Sequence, residues 1–170
     1  MTSMIINRAQ SVRIFVASVA LLAPLALAAC DDELPAGIQP PAQDELAAMN
    51  SAIQDEYHAE AVYLGVLEDF GEVLPFHNIV FAEQRHSETI ASLFVKRGLD
   101  VPSSDHAVDN VPRFDSVPAA CAVAVEAEVA NIEMYDLLLE GDLAADVRRV
   151  FQNNRRASLD HHLPAFEGCM

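Results

Sequence analysis

An all-α fold is predicted: a bundle of four helices, arranged as two antiparallel helical hairpins joined by a long crossover. Three observations predict it. Inward-type residues recur at alternating steps of three and four along four stretches of the chain, the spacing of one face of a helix. Strand signals, meaning period-two alternation between turn residues, are lacking. Short turns separate the members of each pair of stretches, while a long proline-containing segment divides the two pairs.

The first stretch, from Asp44 to Phe70, places Leu46, Met49, Ile53, Glu56, Glu60, Tyr63, Leu67 and Phe70 on one seam. Gly71 to Pro75 is a turn. The second seam runs through Phe76, Ile79, Glu83, His86, Ile90, Leu93 and Arg97, and Gly98 stops it. Leu99 to Pro118 carries Pro102, Pro112 and Pro118 among serines and aspartates, and reads as the crossover. Cys121, Val125 or Ala124, Glu128, Ile132, Tyr135 and Leu139 make the third seam, which ends near Gly141. The fourth helix begins around Asp142 and turns Val147, Phe151, Asn154, Ser158, His162 and Ala165 to one side. Two hairpins joined by one crossover is the layout of a ferritin-like four-helix bundle.

Ahead of the bundle, residues 1–29 read as a lipoprotein signal peptide. Arg8 and Arg13 open it without an acid, an apolar run of about 16 residues follows, and Leu27-Ala28-Ala29-Cys30 closes it. The run is shorter than the roughly 20 residues a spanning helix needs. Leu-Ala-Ala-Cys resembles a bacterial lipobox, in which the thiol of the Cys, here Cys30, is acylated. Residues 30–43, with Pro35, Gly37, Pro40 and Pro41, form a flexible tether, leaving 44–170 as the bundle. The expected location is the cell envelope, on the extracytoplasmic side of a membrane that the lipid holds.

The 170 residues carry 26 acidic against 10 basic side chains, a formal charge of −16, which excludes a phosphate backbone as partner. Aromatic residues are 6% and Trp is absent, so stacking platforms for bases or sugars are not expected. Most of the acids are a solvated face. Glu56, Glu60, Glu83 and Glu128 instead interrupt apolar seams on three helices. A lone ionised carboxylate inside a core costs several kcal/mol, so it must be paired, protonated or bound to a cation. Arg97 is the only Lys or Arg on an inward seam. A metal ion is the simplest remaining partner. In Glu83-Gln84-Arg85-His86 a carboxylate and an imidazole three residues apart share one helix face and can ligate one ion.

Several segments then resemble one family. Asp55-Glu56-Tyr57, Pro75-Phe76-His77-Asn78-Ile79, Ala82-Glu83-Gln84-Arg85-His86, Ala127-Glu128 with Asn131-Ile132 and Tyr135-Asp136, and His162-Leu163-Pro164-Ala165-Phe166 are similar to a bacterial ferritin-like domain family of unknown function related to the rubrerythrins. The resemblance covers about Leu46 to Cys169 in the expected order. It implies a dinuclear carboxylate site, usually of iron, with manganese the alternative. Carried over, the ligands are Glu56, Glu83, His86, Glu128 and His162. A complete set has a second Glu three residues before the last His, where this chain has Leu159, and Glu60 is the candidate to supply the missing charge. The helical wheel favours His162 over His161.

Tyr63 and Tyr135 point inward beside the acids, as core aromatics or as groups acting near the metal. Cys121 opens the third helix and Cys169 follows the fourth. In an antiparallel hairpin those ends are neighbours, so a disulfide is expected in an oxidising envelope. Two functions follow. The first is a tethered metalloprotein whose iron reacts with oxygen or peroxide, ferroxidase-like or peroxidase-like, without a rubrerythrin's Cys-bound electron relay. The second is a non-catalytic lipoprotein bundle with a degenerate metal site. A homodimer is compatible with both.

Overall fold

The computed structural model describes residues 42–170, and every element among them is helical. Residues 1–41, which include the predicted signal, Cys30 and nearly all of the tether, lie outside the described residues. α1 spans Gln43–Phe70, α2 Phe76–Lys96, α3 Val117–Leu139 and α4 Ala145–Ala157. A π-helical turn, Ser158–His162, carries α4 on into the short α5, Leu163–Glu167. No described helix is long and apolar enough to cross a membrane.

Each boundary has a local cause. Asp44 and Glu45 place negative charge at the positive end of α1. Gly71 ends that helix with φ 79°, a left-handed backbone that favours glycine, while its N–H closes on the Leu67 carbonyl. α3 starts earlier than the proline spacing suggests. The Ser116 hydroxyl accepts the Ala119 N–H and caps the helix, so Pro118 lies in its first turn. A proline there gives up an N–H that would have no helical partner anyway. α4 starts at Ala145 rather than near Asp142, because the Ala144 N–H is held by the Glu45 carboxylate across the bundle.

That carboxylate belongs to a buried knot absent from the sequence expectations. Arg97 donates to Glu45 through Nε and Nη2, to Asp146 through Nη2 at 3.0 Å, and to the Leu93 carbonyl. It thereby joins the start of α1, the end of α2 and the start of α4. The crossover lies along α1, fastened by Gln54 to Ser103 and Asp105 and by Arg113 to Gly65, Glu68 and Asp69. A Cβ on Gly65 would stand 2.9 Å from Val111 Cγ2, so glycine there lets the segment approach closely.

Two apolar clusters fill the interior. One gathers Met49, Ile53, Ile90, Phe94, Tyr135 and Phe151; the other gathers Tyr63, Phe76, Val80, Cys121, Ala124 and Phe166. The buried acids stand between them. α1 leaves the first cluster, passes Glu56 and enters the second, whereas α2 and α3 travel from the second cluster past Glu83 and Glu128 to the first. α4 returns from the first cluster through Asn154 and His162 to Phe166. Cys121 and Cys169 stand at disulfide distance, their Cα atoms 5.9 Å apart.

Candidate metal centre

Five ionisable side chains from all four long helical stretches meet in the polar layer. Glu56, Glu83, Glu128 and His162 are each no more than 4% exposed. Two ligand groups can be drawn from them, Glu56–Glu83–His86 and Glu83–Glu128–His162, with the ligand atoms in each within 4.8 Å of one another. Glu83 belongs to both. Its Oε2 lies 2.9 Å from His86 Nδ1 and its Oε1 lies 3.0 Å from His162 Nδ1. The two imidazoles stack, with ring centroids 5.4 Å apart.

Two tyrosines cross the centre in opposite senses. Tyr63 of α1 donates to Glu128 of α3 at 2.7 Å, and Tyr135 of α3 donates to Glu56 of α1. Each tyrosine lies seven residues beyond its own helix's glutamate, so two copies of one Glu-to-Tyr spacing bond to each other reciprocally. That repeated spacing was the signal available in the sequence. Asn154 adds donors to Glu56 and to the Tyr135 hydroxyl. These bonds fix the carboxylates' outer oxygens and leave the inner ones facing the two histidines.

The electrostatics of these side chains follow from the crowding. Burial raises Glu56 to about 7, although its contact with His86 opposes the shift. Burial also works against ionising Glu83, but the imidazoles of His162 and His86 outweigh it and hold the group below the ordinary range. For His86, burial disfavours the cation, yet the bonds to Glu56 and Glu83 prevail and raise it to about 10. His162 rises to about 9 against the same burial penalty, through Glu128 and Glu83. The carboxylates thus favour the cationic form of both imidazoles.

The residues fit a metal ion on a direct observation. His162 Nδ1 is buried and makes no hydrogen bond of acceptable geometry, despite carboxylate oxygens at 3.0 and 3.5 Å. An orphaned buried nitrogen calls for an explanation, and a cation between it and those oxygens supplies one. Mixed carboxylate and imidazole donors suit iron, manganese or zinc.

Sequence and structure agree in bringing Glu56, Glu83, His86, Glu128 and His162 together. Glu60 is not brought in: it is half-buried, belongs to neither group, and accepts a hydrogen bond from Gln84 Nε2 at 2.9 Å. His161 is exposed. Leu159, which α-helical spacing places on the same face as His162, is 40% exposed. The inward residue before His162 is Ser158, four positions back and 1% exposed, as the fourth seam has it, and the π turn Ser158–His162 spans that step. The Ser158 hydroxyl donates to Asn131 Oδ1 at 2.8 Å, and no carboxylate stands in that place.

Among known proteins, a hypothetical protein of Methanococcus jannaschii has a similar solved structure. Its TM-score is 0.66 at 22% identity, with 79% of this chain and 82% of that one covered. At that identity the likeness speaks to the fold alone. No family model matches the chain, and no curated protein matches it.

Proposed function

We propose that this chain is a ferritin-like metalloprotein whose centre holds two metal ions, iron by preference, bridged by Glu83. The observation that carries the reading is the sharing of Glu83 between two ligand groups, each completed by one histidine and one further glutamate. Glu56 and His86 would hold one ion; Glu128 and His162 would hold the other.

The ferritin-like topology is supported by the order in which the helices cross the layers. α1 runs from the first cluster to the second, α2 and α3 run back, and α4 with α5 runs forward again. Antiparallel pairs joined through a long segment between two parallel neighbours make that pattern. Kinship with the rubrerythrin-related family rests on the quoted motifs, and a lipid on Cys30 rests on Leu27-Ala28-Ala29-Cys30.

Bound iron would supply one-electron cycling between ferrous and ferric states, with oxygen or peroxide as the oxidant. The chain's own part is to hold and shield. Tyr63 and Tyr135 orient the outer carboxylates, the two apolar clusters exclude water from above and below, and the histidines lose their protons when they become ligands. A second reading, a non-catalytic bundle with a degenerate site, is favoured by one observation: Leu159, where a Glu would complete the set, is 40% exposed, and the inward Ser158 beside it offers only a hydroxyl.

The test is metal content by mass spectrometry of the whole chain, beside Glu83→Ala/His86→Ala. About two iron or manganese ions per chain, lost in the variant, are expected from two ligand groups. No metal after reconstitution with ferrous iron would overturn the proposal in favour of the non-catalytic bundle. Lipidation is tested separately, by the mass of the mature chain against that of Cys30→Ser.

A further inference from the structure

A cavity of about 280 Å³ lies between α1, α3 and the end of the crossover. Ala59, Val62, Pro112, Phe114, Val123 and Ala124 give it apolar walls. Its innermost residues are the buried Tyr63, Glu83 and Glu128, and the exposed His58 stands at its mouth. Asp55 and Asn131 complete the lining, with Asn131 Nδ2 donating to Asp55 Oδ2 at 2.6 Å. Glu56, His86 and His162 do not line it, so the cavity meets the centre through Glu83 and Glu128 alone.

Three features define an occupant. The volume far exceeds that of a diatomic gas: a cavity of ~150 Å³ holds benzene, so 280 Å³ accommodates a body of about ten heavy atoms. The walls favour an apolar body. Asp55, Glu83 and Glu128 border the space and no lining residue is Lys or Arg, so without metal the floor repels an anion. The Tyr63 hydroxyl is already committed to Glu128 Oε1, and a carboxylate oxygen has a second lone pair, so that oxygen is the acceptor an entering donor would meet.

We infer that the cavity binds a small neutral organic molecule, apolar in body and bearing one hydroxyl, whose hydroxyl points at the Glu83–Glu128 edge of the centre. The inference deepens the metalloprotein reading and rests on it for its chemical purpose. The occupant is the molecule on which the centre acts, or one that controls access to it.

The experiment uses the whole chain, metal-free and iron-loaded, with 4-fluorophenol as probe and fluorine NMR as readout. 4-Fluorobenzoate is of similar size but anionic near pH 7. Saturable binding of the phenol is expected, with the benzoate at least about tenfold weaker in the metal-free form, because its charge must there be desolvated beside acids. Ala127→Phe and Val123→Phe, both at exposed lining positions, should each weaken the phenol by about tenfold through lost space, with metal content and Tm unchanged. No saturable binding in either form, equal binding of the benzoate by the metal-free form, or indifference to both substitutions would overturn the inference. A phenol site that survives in a chain unable to take up metal would sink the metal reading and leave the cavity's assignment standing.

Discussion

Replacing Arg97 with Met should destabilise the bundle far more than loss of an exposed ion pair. The Arg97 side chain is 10% exposed and its guanidinium donates to Glu45, Asp146 and the Leu93 carbonyl, and the Glu45 side chain is 7% exposed. Met keeps most of the side chain's apolar stem but removes every donor. Glu45 is then left buried with the Ala144 N–H as its remaining partner. Uncompensated burial of one partner of such a pair costs about 3–5 kcal/mol, against about 0–1 kcal/mol for a surface pair. For a domain of this size that corresponds to a fall in Tm of roughly 10 °C or more. Urea denaturation at neutral pH reads the difference, with metal-free protein used for both chains. The double variant Arg97→Met/Glu45→Gln should recover part of the loss, since no buried charge then stands alone. Acid supplies a further check. Arg97 and Lys96 hold Asp146 below its ordinary 3.8, so their contribution is present above that value and is lost as pH falls through the folded range. The gap between wild type and variant should therefore narrow in acid. A loss under about 1 kcal/mol at neutral pH would refute the argument that this knot is buried and compensated.

Three other outcomes follow from the same structure. Tyr135→Phe keeps the ring's packing but removes the donor to Glu56, and should weaken metal binding by about 10- to 100-fold in a competition assay with a chelator; unchanged affinity would show that the hydroxyl does not orient the ligand. Metal-free protein at neutral pH carries protons on His86 and His162, raised to about 10 and about 9. Loading should release about two protons per chain, measured by calorimetry in buffers of different ionisation enthalpy, and release of less than one would contradict the assignment. Affinity should fall as pH is lowered, more steeply below about 7, where Glu56 also takes up a proton. Joint replacement of Cys121 and Cys169 by Ser should cost about 2–4 kcal/mol more in an oxidised preparation than in a reduced one, since the bridge would close a loop with a separation of 48 residues.

The parts legible in the sequence are those that periodicity encodes. α1 and α2 are continuous seams, and Glu56, Glu83 and Glu128 stand out because each breaks an apolar face where a carboxylate needs a partner. His86 follows from its spacing to Glu83, and His162 from its helical wheel. What periodicity cannot carry is a change of register. The π turn at Ser158–His162 alters which backbone groups pair, and nothing in Ser-Leu-Asp-His-His announces it. Leu159, where the resemblance calls for a Glu, faces outward, and Ser158 keeps the inward place that the fourth seam gives it. Long-range pairing was equally hidden. Arg97 on an inward seam demanded an acid, but Glu45 lies 52 residues away and became identifiable only once α1 and α2 were packed. Glu60 shows the converse. Its step from Glu56 is helical, yet its lean toward Gln84 takes it out of the centre, a rotation too small for a seam of threes and fours to resolve.

The central claim is that Glu83 bridges two ions. Crystals of the iron-loaded chain, measured at the iron absorption edge, test it most directly. Two anomalous peaks about 3.5–4 Å apart, one beside His86 and Glu56, the other beside His162 and Glu128, with Glu83 between them, are the predicted result. A single peak, or peaks away from these five residues, would contradict it.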